Sequence, residues 1–202
     1  MVGQTLAKGF SQSDYEVRIG SRSPEKLDAF VKNESGGKVK AGTFQDTASH
    51  GEILVIAVRG DAVEEAIGIA GTKNFSGKLV IDATNPLDFS RGMPPGILPT
   101  YSQTSLGETV QQKLAGARVV KCFNTVPSSL MFRPSLQAEL LLCGNDKKAK
   151  EEVTGIVKQF GWRGTIDVGD ISSARYMEYL VPLWVRAATA TQNFNSAFLL
   201  MG

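Results

Sequence analysis

Residues 53–58 read ILVIAV, a short apolar run that decides the fold class. An uninterrupted run of this length is typical of a parallel β-strand that is covered on both faces of its sheet. Helical patterns follow and precede it, and other β-rich runs occur along the chain. These other runs lie at 15–19, 38–41, 79–83, 118–123, 138–143 and 165–168. Strands that alternate with helices predict an α/β fold with a Rossmann-like, doubly wound parallel sheet.

The chain divides unequally in this interpretation. Residues 1–170 form the predicted Rossmann domain, and residues 171–202 form a short C-terminal helical segment, which Pro182 is expected to kink. Residues 24–33 are predicted as a helix that Ser23 caps, since proline is favoured at the first helical position. The Pro-, Gly- and Ser-rich stretch at 88–104 is predicted as a long loop, and such loops are often functional.

The composition excludes several classes of protein. With 22 basic and 20 acidic residues among 202, the chain lacks the charge excess of a nucleic-acid or membrane-surface binder. No apolar run reaches the length of a membrane span. Cys122 and Cys143 lie inside apolar runs, without metal-ligand spacing, and are expected to be buried free thiols. We therefore expect a cytoplasmic protein with no metal site.

Residues that follow the strands carry the functional prediction, because ligands of such sheets bind at the carboxyl ends of the strands. The run at 15–19 is followed by GSRSPEK, which places Ser21, Arg22, Ser23 and Lys26 together. An acidic residue at this place would bind the ribose of NAD, whereas an arginine accommodates the 2′-phosphate of NADP. The alternative is a capped helix with solvated charges.

Three further strand ends offer polar groups or backbone to the same ligand. Ala57, Val58 and Arg59 would pass its ribose and pyrophosphate, although Arg59 could equally be a surface residue. Asn85 and Asn124 follow two successive strands, and each carries a donor and an acceptor that could flank one ligand ring. Either asparagine could instead only form a turn.

In order along the chain stand the segments VGQTLAKGF, EVRIGSRSPEKL, ILVIAV, VIDATNPL and VVKCFNTV, followed by DVGD and ARYMEYLVPLW near the end. Together these segments resemble the F420-dependent NADP oxidoreductase family. The same module resembles the reductase domain of STEAP-type membrane metalloreductases. The resemblance implies a Rossmann fold that binds NADPH, with the 2′-phosphate at Ser21, Arg22, Ser23 and Lys26. It implies a nicotinamide end at Val58, Asn85 and Asn124.

One departure from the family pattern concerns the start of the sequence. Family members carry a strand ending in G-x-G before the segment that matches Met1, Val2 and Gly3 here. Met1 and Val2 are implied to lie at the cofactor, and Gly3 matches the third glycine of the motif, which lets helix and strand pack closely. Without the preceding strand, two strand edges would be open inside the sheet. We expect a chain shortened in this way to bind NADPH poorly.

The predicted reaction is hydride transfer between NADP and a flavin, a deazaflavin such as F420, or another small acceptor. The cofactor carries this chemistry and the protein positions it, so no catalytic acid or base is predicted. His50 and Asp82 are interpreted as structural, and Arg175 is expected to pair with Glu178. The acceptor would contact residues of strand ends and of the C-terminal helix. These are Pro86, Leu87, Val126, Met177 and Trp184, with Leu183 beside them.

Alternatives remain open at this stage. Met177, Leu180, Leu183 and Trp184 have a spacing that also suits core or dimer contacts, and a homodimer is predicted. A second hypothesis of a different class is a non-catalytic NADPH-binding or sensor module, in which the loop at 88–104 would dock a partner. A truncated product without activity is a third.

Overall fold

A computed structural model describes residues 1–34, 37–135 and 137–198. It contains nine strands, which are β1 (Val17–Gly20), β2 (Val39–Gly42), β3 (Ile53–Ile56), β4 (Leu79–Asp82), β5 (Leu87–Asp88), β6 (Gly96–Ile97), β7 (Arg118–Cys122), β8 (Glu139–Gly144) and β9 (Gly164–Asp167), all within the described ranges. The α-helices in the same ranges are α1 (Val2–Gln12), α2 (Phe44–His50), α3 (Val63–Ala70), α4 (Leu106–Lys113), α5 (Lys147–Gln159) and α6 (Ala174–Thr191). The predicted mixed α/β fold is confirmed.

The main sheet has five strands in the order β3-β4-β7-β8-β9, and most of its pairs are parallel. The exception is the antiparallel pair of β7 and β8, where the sequence predicts a wholly parallel sheet. The segment from Phe123 to Ala138 explains the difference. Its described part contains one short 3₁₀ turn, Ser128–Leu130, and no helix that could carry the chain back for a parallel crossover.

Strands β1 and β2 form a separate parallel pair. A cavity of about 710 Å³ lies between β1 and β3, and its lining includes Leu6, Ala7 and Phe10 of α1. In the described residues neither strand pairs across this cavity. Each of these two strands therefore presents an unpaired edge toward the cavity.

Two apolar cores cover the faces of the main sheet. Helices α1 and α5 pack on one face, where the ring of Phe160 contacts the rings of Phe10, Phe123 and Phe132. Gly9 of α1 permits this contact, because an added Cβ would lie 2.9 Å from the Phe160 ring. Helices α3, α4 and the start of α6 cover the other face. The layers leave the carboxyl ends of β3, β4 and β7 at one edge.

Local structure differs from the sequence prediction in two segments. The predicted helix at 24–33 starts as a 3₁₀ turn, Pro24–Leu27, with Ser23 at its N-cap, and a wider π-type turn follows at Phe30–Glu34. The predicted loop at 88–104 contains one strand of the small antiparallel β5–β6 hairpin and the 3₁₀ turn Pro99–Tyr101. Pro24 fixes the start of the first segment, but a 3₁₀ turn and a π-type turn replace the regular α-helix.

The C-terminal helix α6 runs through Pro182 without ending there. Its first half packs on α4, and its exposed side carries Tyr176, Tyr179 and Leu183. Across residues 1–34, 37–135 and 137–198, each helix falls short of the length or apolarity that crossing a bilayer requires. The division of the chain at residue 171 stays a prediction.

Candidate functional site

Asn85 and Asn124 meet at the carboxyl ends of β4 and β7. The side-chain amide of Asn85 donates to the carbonyl oxygen of Asn124 at 2.9 Å, and the side-chain amide of Asn124 donates to Oδ1 of Asn85 at 3.0 Å. Asn124 is 3% exposed, and its own Oδ1 is a buried acceptor without a hydrogen-bond partner. Such a group costs free energy unless a ligand or water satisfies it. The strand ends therefore hold two asparagine side chains that bind each other, and Oδ1 of Asn124 remains an unused acceptor.

Gly60 brings a third strand end to this pair. It follows Arg59 at the start of a 3₁₀ turn after β3. A Cβ added to Gly60 would lie 2.2 Å from the carbonyl oxygen of Asn85 and 2.8 Å from Cα of Pro86. Only glycine allows the two backbones to approach so closely. Gly60 is not among the predicted site residues, although a glycine directly after a buried strand is a signal of close backbone approach.

A buried ionic network lies directly behind Asn85. Nζ of Lys121 contacts Oδ2 of Asp82 at 2.8 Å, Oε1 of Glu178 at 2.9 Å and the carbonyl oxygen of Thr84 at 2.9 Å. The predicted pairing of Arg175 with Glu178 is wrong. Arg175 instead binds Glu108 with its Nε at 2.7 Å, because Glu178 faces inward from α6 and is 2% exposed. Asp82 is buried and accepts hydrogen bonds, as the structural interpretation predicts.

Burial and charge act in opposite directions on this network. Burial alone would lower the pKa of Lys121, but the carboxylates of Asp82 and Glu178 outweigh it and raise that pKa above its ordinary value. Burial raises the pKa of Glu178, against the opposing effect of Lys121 and of hydrogen bonds from the α4 backbone. Lys121 is not among the predicted site residues, although a lysine within the apolar strand run VVKCF is a sequence signal for such a network.

The cationic corner after β1 has the predicted residues in one place. The Oγ of Ser21 accepts a hydrogen bond from the backbone N–H of Ser23 at 3.1 Å, which folds the segment into a tight turn. Arg22 and Lys26 are exposed, and Nη1 of Arg22 lies 3.6 Å from Oε2 of Glu65 on α3. Because the following turn is a short 3₁₀ turn, anion binding at this corner would rest on side chains more than on a helix dipole.

A cleft of about 240 Å³ connects this corner to the end of β3. Its lining consists of Arg22, Phe44, Val58, Arg59, Ala62, Glu65, Ala66 and Ile69. Arg59 is held by Asp61 through two hydrogen bonds, of 3.1 Å from Nε and 2.6 Å from Nη2. The cleft thus combines apolar walls with two guanidinium groups, and each guanidinium faces one carboxylate of α3 or of the turn before it.

The start of α1 lies beside the end of β3. Met1 is 93% exposed, Val2 is partly buried, and the nearest neighbour of a Cβ built on Gly3 would be Cβ of Ala57 at 3.7 Å. That distance is an ordinary van der Waals contact. Among the described residues, close packing therefore does not explain the glycine at position 3, and a cofactor contact of Met1, Val2 and Ala57 stays a prediction.

The predicted acceptor-contacting residues divide into two groups. Val126 and Met177 belong to the buried cores, with exposures of 8% and 2%, and Pro86 is also buried. Leu87 is partly exposed. Trp184 donates from Nε1 to the carbonyl oxygen of Ser196 at 2.8 Å. In this arrangement Met177 has a packing role, which is the alternative that the spacing on α6 left open, and Leu183 is 57% exposed.

The β5–β6 hairpin stands directly after Asn85 and Pro86. The backbone N–H of Leu98 donates to the carbonyl oxygen of Pro86 at 2.8 Å, and the hydroxyl of Tyr101 contacts Oε1 of Glu64 at 3.4 Å. Both ends of the hairpin segment are therefore anchored. Its tip is open, since Phe89 is 52% and Met93 60% exposed, and Arg91 between them is also exposed.

The sheet order, the polar groups at its strand ends and the cationic corner define a dinucleotide-binding protein of the Rossmann class. Comparison with known proteins names the branch of that class. A sequence profile of the family described as "NADP oxidoreductase coenzyme F420-dependent" matches residues 1–86. A crystal structure from Arthrobacter sp. FB24, of a protein provisionally named an F420-dependent NADP reductase, is 37% identical, with a TM-score of 0.93, over 100% of this chain and 95% of that one.

A more distant sequence relative and a protein of similar fold were also found. The F420-dependent NADP reductase of Methanocaldococcus jannaschii is 25% identical over 200 residues, which cover 92% of this chain and 89% of that protein. An imine reductase variant from Myxococcus stipitatus shares the fold alone, with 18% identity, a TM-score of 0.65 and coverage of 95% of this chain and 60% of that one. The chain belongs to the F420-dependent NADP oxidoreductase family, and it is an NADP-dependent oxidoreductase.

Proposed function

We propose that the protein transfers hydride between NADPH and a deazaflavin of the F420 type. The observation that carries this proposal is the asparagine pair at the ends of β4 and β7. In this pair, Oδ1 of Asn124 is buried and has no hydrogen-bond partner. It is therefore a suitable acceptor for the amide N–H₂ of a nicotinamide. The relatives named F420-dependent NADP reductases support the choice of acceptor.

Residues of the chain would bind the dinucleotide along one edge of the sheet. Ser21, Arg22, Ser23 and Lys26 would hold the 2′-phosphate, because a guanidinium forms paired, charge-assisted hydrogen bonds with phosphate oxygens. Ala57, Val58 and Arg59, together with Met1 and Val2, would border the ribose and pyrophosphate. Val58, Asn85 and Asn124 would orient the nicotinamide.

The cofactor would supply the hydride, and the protein would supply orientation and a dry environment. The asparagine pair would fix the plane of the ring through hydrogen bonds, and the burial of Asn124 would help to exclude water from that side. The acceptor would lie against Pro86 and Leu87, with Val126, Met177 and Trp184 supporting this wall. A flavin is a further candidate acceptor, since a flat ring of similar size suits the same apolar wall.

The direct test is turnover with defined acceptors. Oxidation of NADPH by the full-length protein would be followed with F420, FMN or a ferric chelate as the acceptor. We expect F420 to be reduced fastest. Absence of turnover with all three acceptors, in protein that binds NADPH, would contradict the proposal.

We also propose that the protein is a cytoplasmic homodimer. The exposed apolar side chains of α6, Tyr176, Tyr179 and Leu183, support contact with a second copy. Analytical ultracentrifugation at micromolar concentration tests this. We expect a dimer that Leu183→Glu converts to a monomer, and a monomeric parent protein would contradict it.

A further inference from the structure

The ionic network behind Asn85 has no part in the binding proposed above. Lys121 and Asp82 are fully buried and Glu178 is 2% exposed, so none of the three can reach a ligand from the surface. They come from β7, β4 and α6, which are distant in sequence. A buried ion pair is a weak source of stability, because desolvation offsets much of the Coulomb attraction. Stability alone is therefore a poor explanation for three buried charges at this place.

Thr84 connects the network to the site. Its backbone N–H and its hydroxyl donate to Oδ1 of Asp82 at 2.9 and 2.6 Å, and its carbonyl oxygen accepts from Nζ of Lys121 at 2.9 Å. That carbonyl belongs to the peptide group joining Thr84 to Asn85, and a peptide group is planar. Holding the oxygen fixes the plane, and with it the positions of the backbone nitrogen and Cα from which the Asn85 side chain departs.

Glu178 links this network to helices α4 and α6. Its carboxylate accepts hydrogen bonds from the backbone N–H groups of Leu106 and Gly107 at 3.0 and 2.9 Å, which lie in the first turn of α4. The other contact of Glu178 is Nζ of Lys121 at 2.9 Å. A displacement of α6 would therefore reach the peptide group before Asn85 through two side chains.

We infer that Lys121 is a positioning residue for Asn85, and that Glu178 makes this positioning depend on α6. The inference rests on the proposed contact of Asn85 with the nicotinamide. Nothing in it requires Lys121 to touch the cofactor or the acceptor. Its consequence is specific: weakening the network reduces recognition of the nicotinamide and leaves recognition of the adenosine end intact.

The test compares two ligands that differ by the nicotinamide. Calorimetric titration of the full-length protein would give dissociation constants for NADPH and for 2′-phospho-ADP-ribose, which lacks the nicotinamide ring. In the parent protein we expect NADPH to bind more tightly. In Glu178→Gln and Thr84→Val we expect NADPH affinity to fall about fivefold, the loss expected for one hydrogen bond, with unchanged affinity for 2′-phospho-ADP-ribose. Lys121→Met is expected to show a larger loss.

Val153→Ala is the control for a merely structural effect. Val153 is fully buried on α5, in the core on the other face of the sheet. The substitution is therefore expected to lower thermal stability without altering the site. We expect it to leave both affinities unchanged. If Lys121→Met fails to fold, the two milder variants decide the question.

The possible outcomes distinguish failure of the positioning role of Lys121 from failure of the proposed nicotinamide contact. Variants that lose thermal stability but keep the parent ratio of the two affinities would overturn the positioning role. A parent protein that binds both ligands equally well would overturn the proposed nicotinamide contact itself. Equal losses for both ligands in the variants would also contradict the inference, since they would show a general loosening of the site.

Discussion

Gly60 lies against the backbone of Asn85 so closely that a Cβ on Gly60 would be 2.2 Å from the Asn85 carbonyl oxygen. This contact joins the turn after β3 to the end of β4, and it leaves no room for any side chain. The position of Asn85 is thus set from one side by Gly60 and from the other by Thr84 and the ionic network.

Gly60→Ala is expected to destabilise the protein and weaken NADPH binding together. The new methyl group must push the Asn85–Pro86 backbone away, which we expect to cost about 1–3 kcal/mol, the usual penalty of overpacking. Urea denaturation measures the stability, and titration measures the affinity. Gly68→Ala is the matched control, because it lies in α3 with no neighbour within 4 Å of an added Cβ. That control should be stabilised by about 0.5–1 kcal/mol.

Arg22→Ala is expected to reduce the preference for NADPH over NADH by tenfold or more. The reason is that hydrogen bonds to a charged group contribute about 1.5–3 kcal/mol, and only NADPH carries the 2′-phosphate. Dissociation constants for both dinucleotides give the preference. Lys73→Ala removes the same charge at the amino end of β4, within the turn Thr72–Phe75, and should leave the preference unchanged. An unaltered preference in Arg22→Ala would contradict the assigned role of the cationic corner.

Glu65→Gln is expected to tighten NADPH binding by about two- to fivefold, the range of an exposed ion pair. The carboxylate of Glu65 lies 3.6 Å from the Arg22 guanidinium, so it competes with the phosphate for that group. Removing its charge frees Arg22. The gain should shrink as salt is added, because the pair is exposed and screened. Glu151→Gln, on the exposed side of α5, serves as the charge control. Weaker binding in Glu65→Gln would show that Glu65 itself contacts the ligand.

The positions of the strands at the site could be predicted from the sequence. The apolar runs at 53–58, 79–83 and 118–123 correspond to β3, β4 and β7, because runs of that length are buried on both faces of a sheet. Since parallel strands end at the same edge, the sequence also placed Asn85 beside Asn124. The direction of β8 was not predictable in this way. An antiparallel strand that is buried on both faces has the same apolar pattern as a parallel one.

The partners of charged side chains were harder to predict than the strands. Arg175 and Glu178 have a spacing that suits a pair on one helix face. The structure instead places Glu178 at the N-terminus of α4 and beside Lys121, since tertiary contacts to two other elements outweigh one exposed pair. Lys121 itself is readable as an anomaly in an apolar strand, but its partners come from positions 39 and 57 residues away. Local sequence patterns carry no information on such contacts.

Tyr101 is expected to ionise well above the ordinary pKa of a tyrosine. Burial, with a further contribution from the charge of Glu64, raises its pKa from 10.0 to about 12. Between these two values the unfolded chain has lost the proton and the native protein retains it, so the unfolded state binds fewer protons. Stability must therefore fall as the pH rises through this window. Ultraviolet titration of tyrosinate measures the pKa, with circular dichroism to confirm that the protein is folded.

Tyr101→Phe should remove the ionisation step near pH 12 and the loss of stability at alkaline pH that accompanies it. Tyr176→Phe is the matched control, because Tyr176 is 80% exposed on α6. This variant should keep the ionisation step near pH 12 that belongs to Tyr101. Tyr101 also anchors the end of the hairpin segment on Glu64 of α3. We therefore expect Tyr101→Phe to increase protease cleavage between β5 and β6 at neutral pH. Loss of an ordinary step near pH 10.0 in Tyr101→Phe, in place of a step near pH 12, would show that this hydroxyl is solvated and that the hairpin is not anchored there.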